Sequence, residues 1–488
     1  MSKSNHIKET WKEEAWYAYF KEICSIPHPS FHVEAISNYL KKFASEHGLK
    51  CTQDKAYNIV IRKKASKGRE DEPVMILQGH MDMVGVKTEN CPLDLTKDGL
   101  KLVERDGYLW ADGTSLGGDD GIAVAYILAI LASDTISHPK LEALITVNEE
   151  VGMLGASALS GSAIKGRRMI NLDTEAEGEI IAGCAGGVRL DGRKHLDMFR
   201  REGQKLILSV SDMTGGHSGT QIHLGRGNAA RVIAKIIAVL AEDCGGQLIS
   251  LYVGEQDNVI PGNATAELLV KSDKVNEAVT RTQELSEGLR EKYPNDPNMK
   301  ITATCGDDKI AEYPVFTKQD TLMVCELLKG DLPNGVIGMS SSMEGLVETS
   351  TNIGIVRMKD HEVTITSALR SSVLKEKEKL LTKMQLIFKE RGFDTTTHGD
   401  YPGWEYDPES PLCRKAAELY PSFFAREPVV TAVHAGLECG VIMDKVGKVD
   451  CIAIGPDIEE IHSVHEKLDL ASCQRVWNFL VELLKTTI

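Results

Sequence analysis

The sequence predicts an α/β domain, a mixed sheet with helices on both faces, interrupted by an inserted α+β domain. Three observations carry this. Strand-like apolar runs alternate with helix-period segments in the first third of the chain. The middle changes to segments with solvent-facing alternation. Near the C-terminus a run of the first kind returns.

Taken in order, Val74 to Gln78 is a short apolar run that ends in Gly79-His80. Asp120 to Ala132 is rich in Ala, Ile and Leu. Its acidic opening suits the positive end of a helix dipole, so it reads as a helix. Leu141 to Val147 is strand-like and runs into Asn148-Glu149-Glu150, and Met169 to Leu172 runs into Asp173. The late run Val449 to Ile454 ends in Gly455-Pro456-Asp457. Between these lie two alternating segments, Lys205 to Val210 and Glu362 to Ala368, which read as half-exposed strands. Asn228 to Ala241, Lys274 to Tyr293 and Leu374 to Glu390 have helical period. The expected division is therefore one domain built from residues 1–187 and 398–488, with residues 188–397 inserted. The cluster Tyr401-Pro402-Gly403-Trp404 marks the return.

Composition narrows the function classes. The chain has 488 residues, enough for two or three domains. Its 71 Asp and Glu against 56 Lys and Arg give a net charge of −15. Nucleic acid and anionic membrane both need a basic face, so neither is an expected partner. The N-terminal segment is polar and charged, without the apolar core of a secretory signal. Gly121 to Ala132, the longest apolar run, is well short of the roughly 20 residues that cross a bilayer. Eleven cysteines are scattered singly with no Cys-x-x-Cys pair. They read as reduced thiols of a cytoplasmic protein.

The informative feature is where metal-type residues fall. His80 and Asp82 follow the first strand-like run. Asp119 and Asp120 precede the helix, and Glu149 and Glu150 follow the next strand. Asp173 follows another, and His462 lies past the last. Open α/β sheets form their sites at the carboxyl ends of strands, so these residues point at one crevice. Singly, each has an ordinary reading as a turn, cap or surface residue. Jointly, paired buried carboxylates repel unless a cation sits among them. Imidazole with carboxylate suits Zn, and Co or Mn after it.

The motifs Gly79-His80-Met81-Asp82-Met83-Val84, Gly117-Gly118-Asp119-Asp120-Gly121, Asn148-Glu149-Glu150-Val151-Gly152 and Asn171-Leu172-Asp173 resemble the zinc aminoacylase, carboxypeptidase and carnosinase superfamily. Further segments narrow the resemblance to the bacterial aminoacyl-histidine (Xaa-His) dipeptidases. They are Gly183-Cys184-Ala185-Gly186-Gly187, Gly215-Gly216-His217-Ser218-Gly219, Pro333-Asn334-Gly335-Val336, Val347-Glu348-Thr349-Ser350 and His434-Ala435-Gly436-Leu437-Glu438-Cys439-Gly440. The likeness runs from about residue 16 to the C-terminus.

The resemblance implies two divalent ions bridged by Asp119, one completed by His80 and Asp173, the other by Glu150 and His462. It implies that Glu149 is the general base for a metal-bridging water. Asp82 would hydrogen-bond the His80 imidazole and fix its tautomer. The inserted domain would be a lid and dimerisation domain. On it, His217 would support the developing oxyanion, supplied either across a homodimer or from a second half of the same lid. Arg370 would bind the substrate's C-terminal carboxylate, Asn258 would make a polar substrate contact, and Gly436 would let backbone approach the substrate.

One departure stands out. The last ligand of the family sits in a Pro-His-Ser-Pro-Asp/Asn-Glu-like segment, whereas this chain has Ile461-His462-Ser463-Val464-His465-Glu466. His462 fits the spacing to Glu466, and His465 is the alternative. The implied activity is hydrolysis of unblocked dipeptides with preference for Xaa-His, of which carnosine is an example. The same ligands serve di- and tripeptidases of broader range, carboxypeptidases and N-acyl amino acid deacylases. A non-catalytic metal or peptide binder is the remaining alternative. Glu149 argues against it, because metal binding has no use for a free carboxylate beside Glu150.

Overall fold

In a computed structural model of the chain, residues 10–306 and 310–487 are described. The extreme N-terminal residues of the segment that argues against a secretory signal lie outside them. The chain separates into two compact units. The first comprises the described residues of Met1–Cys184, Trp404–Ala432 and Leu437–Ile488. The second comprises those of Ala185–Gly403 and Val433–Gly436. The sequence puts the boundaries at 187/188 and 397/398. The packing puts them at 184/185 and 403/404, and it assigns the tetrapeptide 433–436 to the second unit.

The first unit is built on an eight-stranded mixed sheet. Its order is Lys50–Gln53, Ile59–Lys63, Leu141–Thr146, Met75–His80, Arg168–Asn171, Asp450–Ala453, Glu179–Cys184 and Val429–Val433. Leu141–Thr146, Met75–His80, Arg168–Asn171 and Asp450–Ala453 are mutually parallel, and their neighbours are antiparallel. Met75–His80 and Leu141–Thr146 are buried at every position, which explains their unbroken apolar sequence. The helix Gly118–Ala132 is likewise buried all round, from Gly118 to Leu131. It packs on Met75–His80 and on the helix Ala15–Cys24. Tyr126 stacks on Trp477 of the C-terminal helix Leu470–Lys485 and donates its hydroxyl proton to the Cys473 carbonyl at 2.8 Å. Truncating one of its fully buried Ile or Leu residues to Ala would cost about 2–5 kcal/mol.

The second unit is a ten-stranded sheet whose pairs are antiparallel. The helices Ala229–Asp243 and Leu374–Glu390 pack on its strands. Alternation is clearest at the end of Met198–Ser211, where residues 206, 208 and 210 are buried between half-buried neighbours. Among the described residues, no helix is long and apolar enough to cross a membrane.

Candidate active site

Parallel pairing aligns the strand ends of the first unit. His80 is in register with Thr146, so Glu149 and Glu150 follow just beyond the same edge. Gln78 is in register with Asn171, which brings Asp173 level with His80. The Asp119 end of the buried helix closes on the same point. A Cβ at Gly79 would lie 2.5 Å from Asp120 Oδ2 and 2.8 Å from the Ala123 Cβ, so this contact requires glycine. Through that gap Asp120 Oδ2 accepts the His80 backbone N–H at 2.9 Å.

Two groups of metal-type donors result, His80 with Asp119 and Asp173, and Asp119 with Glu150 and His462. His80 Nε2 is 3.1 Å from Asp119 Oδ1 and 3.7 Å from Asp173 Oδ1. His462 Nε2 is 3.2 Å from Asp119 Oδ2 and 2.9 Å from Glu150 Oε2. Asp119 thus turns one carboxylate oxygen to each imidazole. His465 is exposed and belongs to neither group. Glu150 Oε1 is buried without a hydrogen-bond partner among the described residues. An orphaned carboxylate oxygen beside a His/Asp donor set is what a divalent cation would satisfy.

The electrostatics have the same character. Burial, reinforced by Asp120, drives the Asp173 carboxyl well above its ordinary range. Burial also raises Glu149 to about 7, with the charges of Glu150, Asp119 and Asp82 adding to it and that of His80 opposing. Contact with Asp119 and Glu150 raises His462 to about 10. For His80, burial favours the neutral ring, but Asp173, Asp119 and Asp82 outweigh it and raise its pKa. Asp119 is held low despite its burial, because both imidazoles face it.

Asp82 does more than the sequence implies, and by a different route. The nearest partner of His80 Nδ1 is the Asp82 backbone carbonyl at 2.9 Å, while its carboxylate Oδ1 lies at 3.6 Å. That carboxylate instead accepts the Glu149 backbone N–H at 3.1 Å and the Ser30 hydroxyl at 2.8 Å. It fixes the backbone of Glu149. A second acid escapes sequence reasoning. Glu438 is fully buried, accepts from Gln78 Nε2 at 2.7 Å and from the Thr146 hydroxyl, and is raised to about 8 by burial and then by Glu149. Gln78 in turn accepts from Asn171.

His217, Asn258, Arg370 and Gly436 all lie in the second unit. Asn258 immediately precedes Val259, the register partner of His217. His217 Nδ1 accepts the backbone N–H groups of Thr220 at 3.0 Å and Gly219 at 3.2 Å. Its Nε2 therefore carries the proton and is a donor. Burial, then Arg370 and Arg189, lower its pKa and keep the ring neutral. Arg370 is 5% exposed. Its Nη1 donates to the Tyr401 hydroxyl at 2.8 Å, and its Nε is buried without a partner among the described residues. A Cβ at Gly219 would lie 2.9 Å from His217 Cε1 and 3.2 Å from Arg370 Nε, so the two donors flank this glycine.

Residues 76–486 match the model of Peptidase family M20/M25/M40. The chain belongs to this family. It is therefore an enzyme, a peptidase. The cytosol non-specific dipeptidase of Escherichia coli is 37% identical over 473 residues, covering 96% of each chain. The crystal structure of aminoacylhistidine dipeptidase from Vibrio alginolyticus superposes with a TM-score of 0.91 at 31% identity, covering 99% of each chain. Aminopeptidase PepT from Bacillus cereus, at a TM-score of 0.55 and 18% identity over 96% of this chain and 97% of its own, shares the fold. The α/β domain with an inserted α+β domain is thus the architecture of this M20-family peptidase.

Proposed function

We propose that this M20-family peptidase is a two-metal dipeptidase that cleaves unblocked dipeptides and prefers a C-terminal histidine. The observation that carries the reading is Asp119, whose two oxygens face His80 and His462 separately. His80, Asp119 and Asp173 would hold one ion, and Asp119, Glu150 and His462 the other. Zinc is the expected metal, with Co or Mn as substitutes. When bound, such ions polarise the scissile carbonyl and acidify water. Glu149 takes a proton from the attacking water and passes it to the leaving amine, a task suited to a carboxylate whose backbone is fixed by Asp82. His217 Nε2–H donates to the developing oxyanion, and Arg370 receives the C-terminal carboxylate. Asn258 and Gly436 contribute substrate contacts. The names of the Escherichia coli and Vibrio relatives support a dipeptide substrate, and the Vibrio name supports histidine at its C-terminal position. A cytoplasmic location fits the name of the Escherichia coli relative.

The test is a hydrolysis panel of carnosine, Gly-His, Ala-Leu, Leu-Gly-Gly and acetyl-methionine, with added zinc or with chelator. Chelator-sensitive cleavage favouring the histidine dipeptides is expected. Equal cleavage of Ala-Leu would keep the mechanism and widen the substrate class, as the non-specific relative suggests. Metal binding without cleavage of any member would overturn the dipeptidase reading.

A further inference from the structure

The second donor group depends on two segments far apart in sequence, the start of the buried helix presenting Asp119 and a turn presenting His462. Besides the His462–Asp119 contact itself, the Glu466 side chain joins their backbones. Glu466 is 3% exposed. Its Oε2 accepts the backbone N–H groups of Leu116 at 2.9 Å and Gly117 at 3.1 Å. Its Oε1 accepts those of Gly118 at 2.7 Å and Asp119 at 3.4 Å. Successive N–H groups turned inward around a left-handed residue make an anion-binding nest, and Gly117 supplies that residue with φ of 67°. Gly118 leaves the necessary room, since a Cβ there would lie 3.3 Å from Glu466 Oε1.

Glu466 is itself anchored on both sides. Its N–H donates to the Ser463 carbonyl at 3.3 Å, one residue after His462. The following strand, Lys467–Asp469, pairs with Tyr108–Ala111. Its carboxylate therefore fixes the spacing between the backbone that bears Asp119 and the backbone that bears His462.

We propose that Glu466 is the positioning residue of the metal centre: by filling the Leu116–Asp119 nest it holds Asp119 where both donor groups can share it. The inference rests on the two-metal reading above. Glutamine is the informative replacement. It keeps the shape but turns an NH₂ toward backbone donors, so part of the nest must open.

The experiment compares wild type with Glu466→Gln in two readouts, zinc affinity by competition with a chromophoric chelator and amide hydrogen exchange over residues 116–119. The expected result is an apparent zinc Kd raised roughly 10- to 100-fold, the usual effect of removing a group that orients a ligand. Exchange over 116–119 should accelerate, and turnover should recover at saturating zinc. Exchange elsewhere in the first unit should stay at the wild-type rate, which separates local opening of the nest from general destabilisation. If the Gln variant fails to fold, Glu466→Asp carries the same test, with the charge kept and the reach shortened by one methylene. Wild-type zinc affinity together with unchanged exchange in a folded variant would overturn this inference alone. A wild-type chain that binds no divalent ion would overturn the two-metal reading and this inference with it.

Discussion

The two units concentrate opposite charges and solve the problem differently. At the strand ends of the first unit, carboxylates are packed more closely than their charges allow. Burial lifts Glu149 and Glu175 to about 7 and Glu438 to about 8. In the second unit, cationic and basic groups are gathered instead. Burial, followed by the Arg370 charge, lowers His434 to about 4 and moves His217 in the same direction. Arg370 itself is buried, and its Nε has no hydrogen-bond partner among the described residues. The surplus is of negative charge in the one and of positive charge in the other, and clusters of shifted groups of either sign mark candidate functional sites.

The sharpest way to break this contrast is Asp119→Asn. It removes the one charge that both donor groups share, so metal analysis should find both ions lost and turnover reduced to background. Glu149→Gln comes next. It should lower kcat by about 10²–10⁴-fold, the usual contribution of a general base, while metal analysis finds the ions retained. Loss of metal in this variant would make Glu149 a ligand and remove it as the base. On the opposite side, Arg370→Ala should raise KM about 10- to 100-fold with a smaller change in kcat, since a hydrogen bond to a charged group contributes about 1.5–3 kcal/mol. An equal loss in both parameters would move Arg370 to the transition state.

Stability against pH gives a subtler test. The folded pKa of Glu438, about 8, lies above the roughly 4.3 of an unfolded glutamate. Between those values the folded chain binds more protons, so stability falls as pH rises through this window. Glu438→Gln cannot ionise, and its Tm should decline less than that of wild type between pH 5 and 8. A parallel decline in both proteins would remove Glu438 as a source of the strain. The smallest effect is expected from Ser350→Ala, which deletes the 2.7 Å hydrogen bond between Ser350 Oγ and His434 Nε2. It should cost about 1 kcal/mol in denaturant unfolding.

Much of the first unit was legible in the sequence because its signals are local. A fully buried parallel strand must be apolar along its length, and a polar residue at its end marks the sheet's edge. His80, Glu150 and Asp173 each announce themselves in that way, and the structure brings them together with Asp119 and His462. The second unit was legible in its alternating strands and helix-period stretches. Its limits were not, because the tetrapeptide 433–436 carries no mark of the unit that it packs with.

By itself, then, the sequence determined the fold class, the family and which residues gather at the strand ends, since each follows from periodicity or from a motif within a few positions. Tertiary structure alone decided what fixes them in place. Gln78 meets Glu438 across 360 positions, and Gly118 meets Glu466 across 348. Nor does the order of residues show that the Asp82 carboxylate turns to Glu149 while its backbone carbonyl takes His80. A hydrogen bond depends on distance and direction in space. Neither is encoded at the position of either partner until the sheet has formed and its edges have closed.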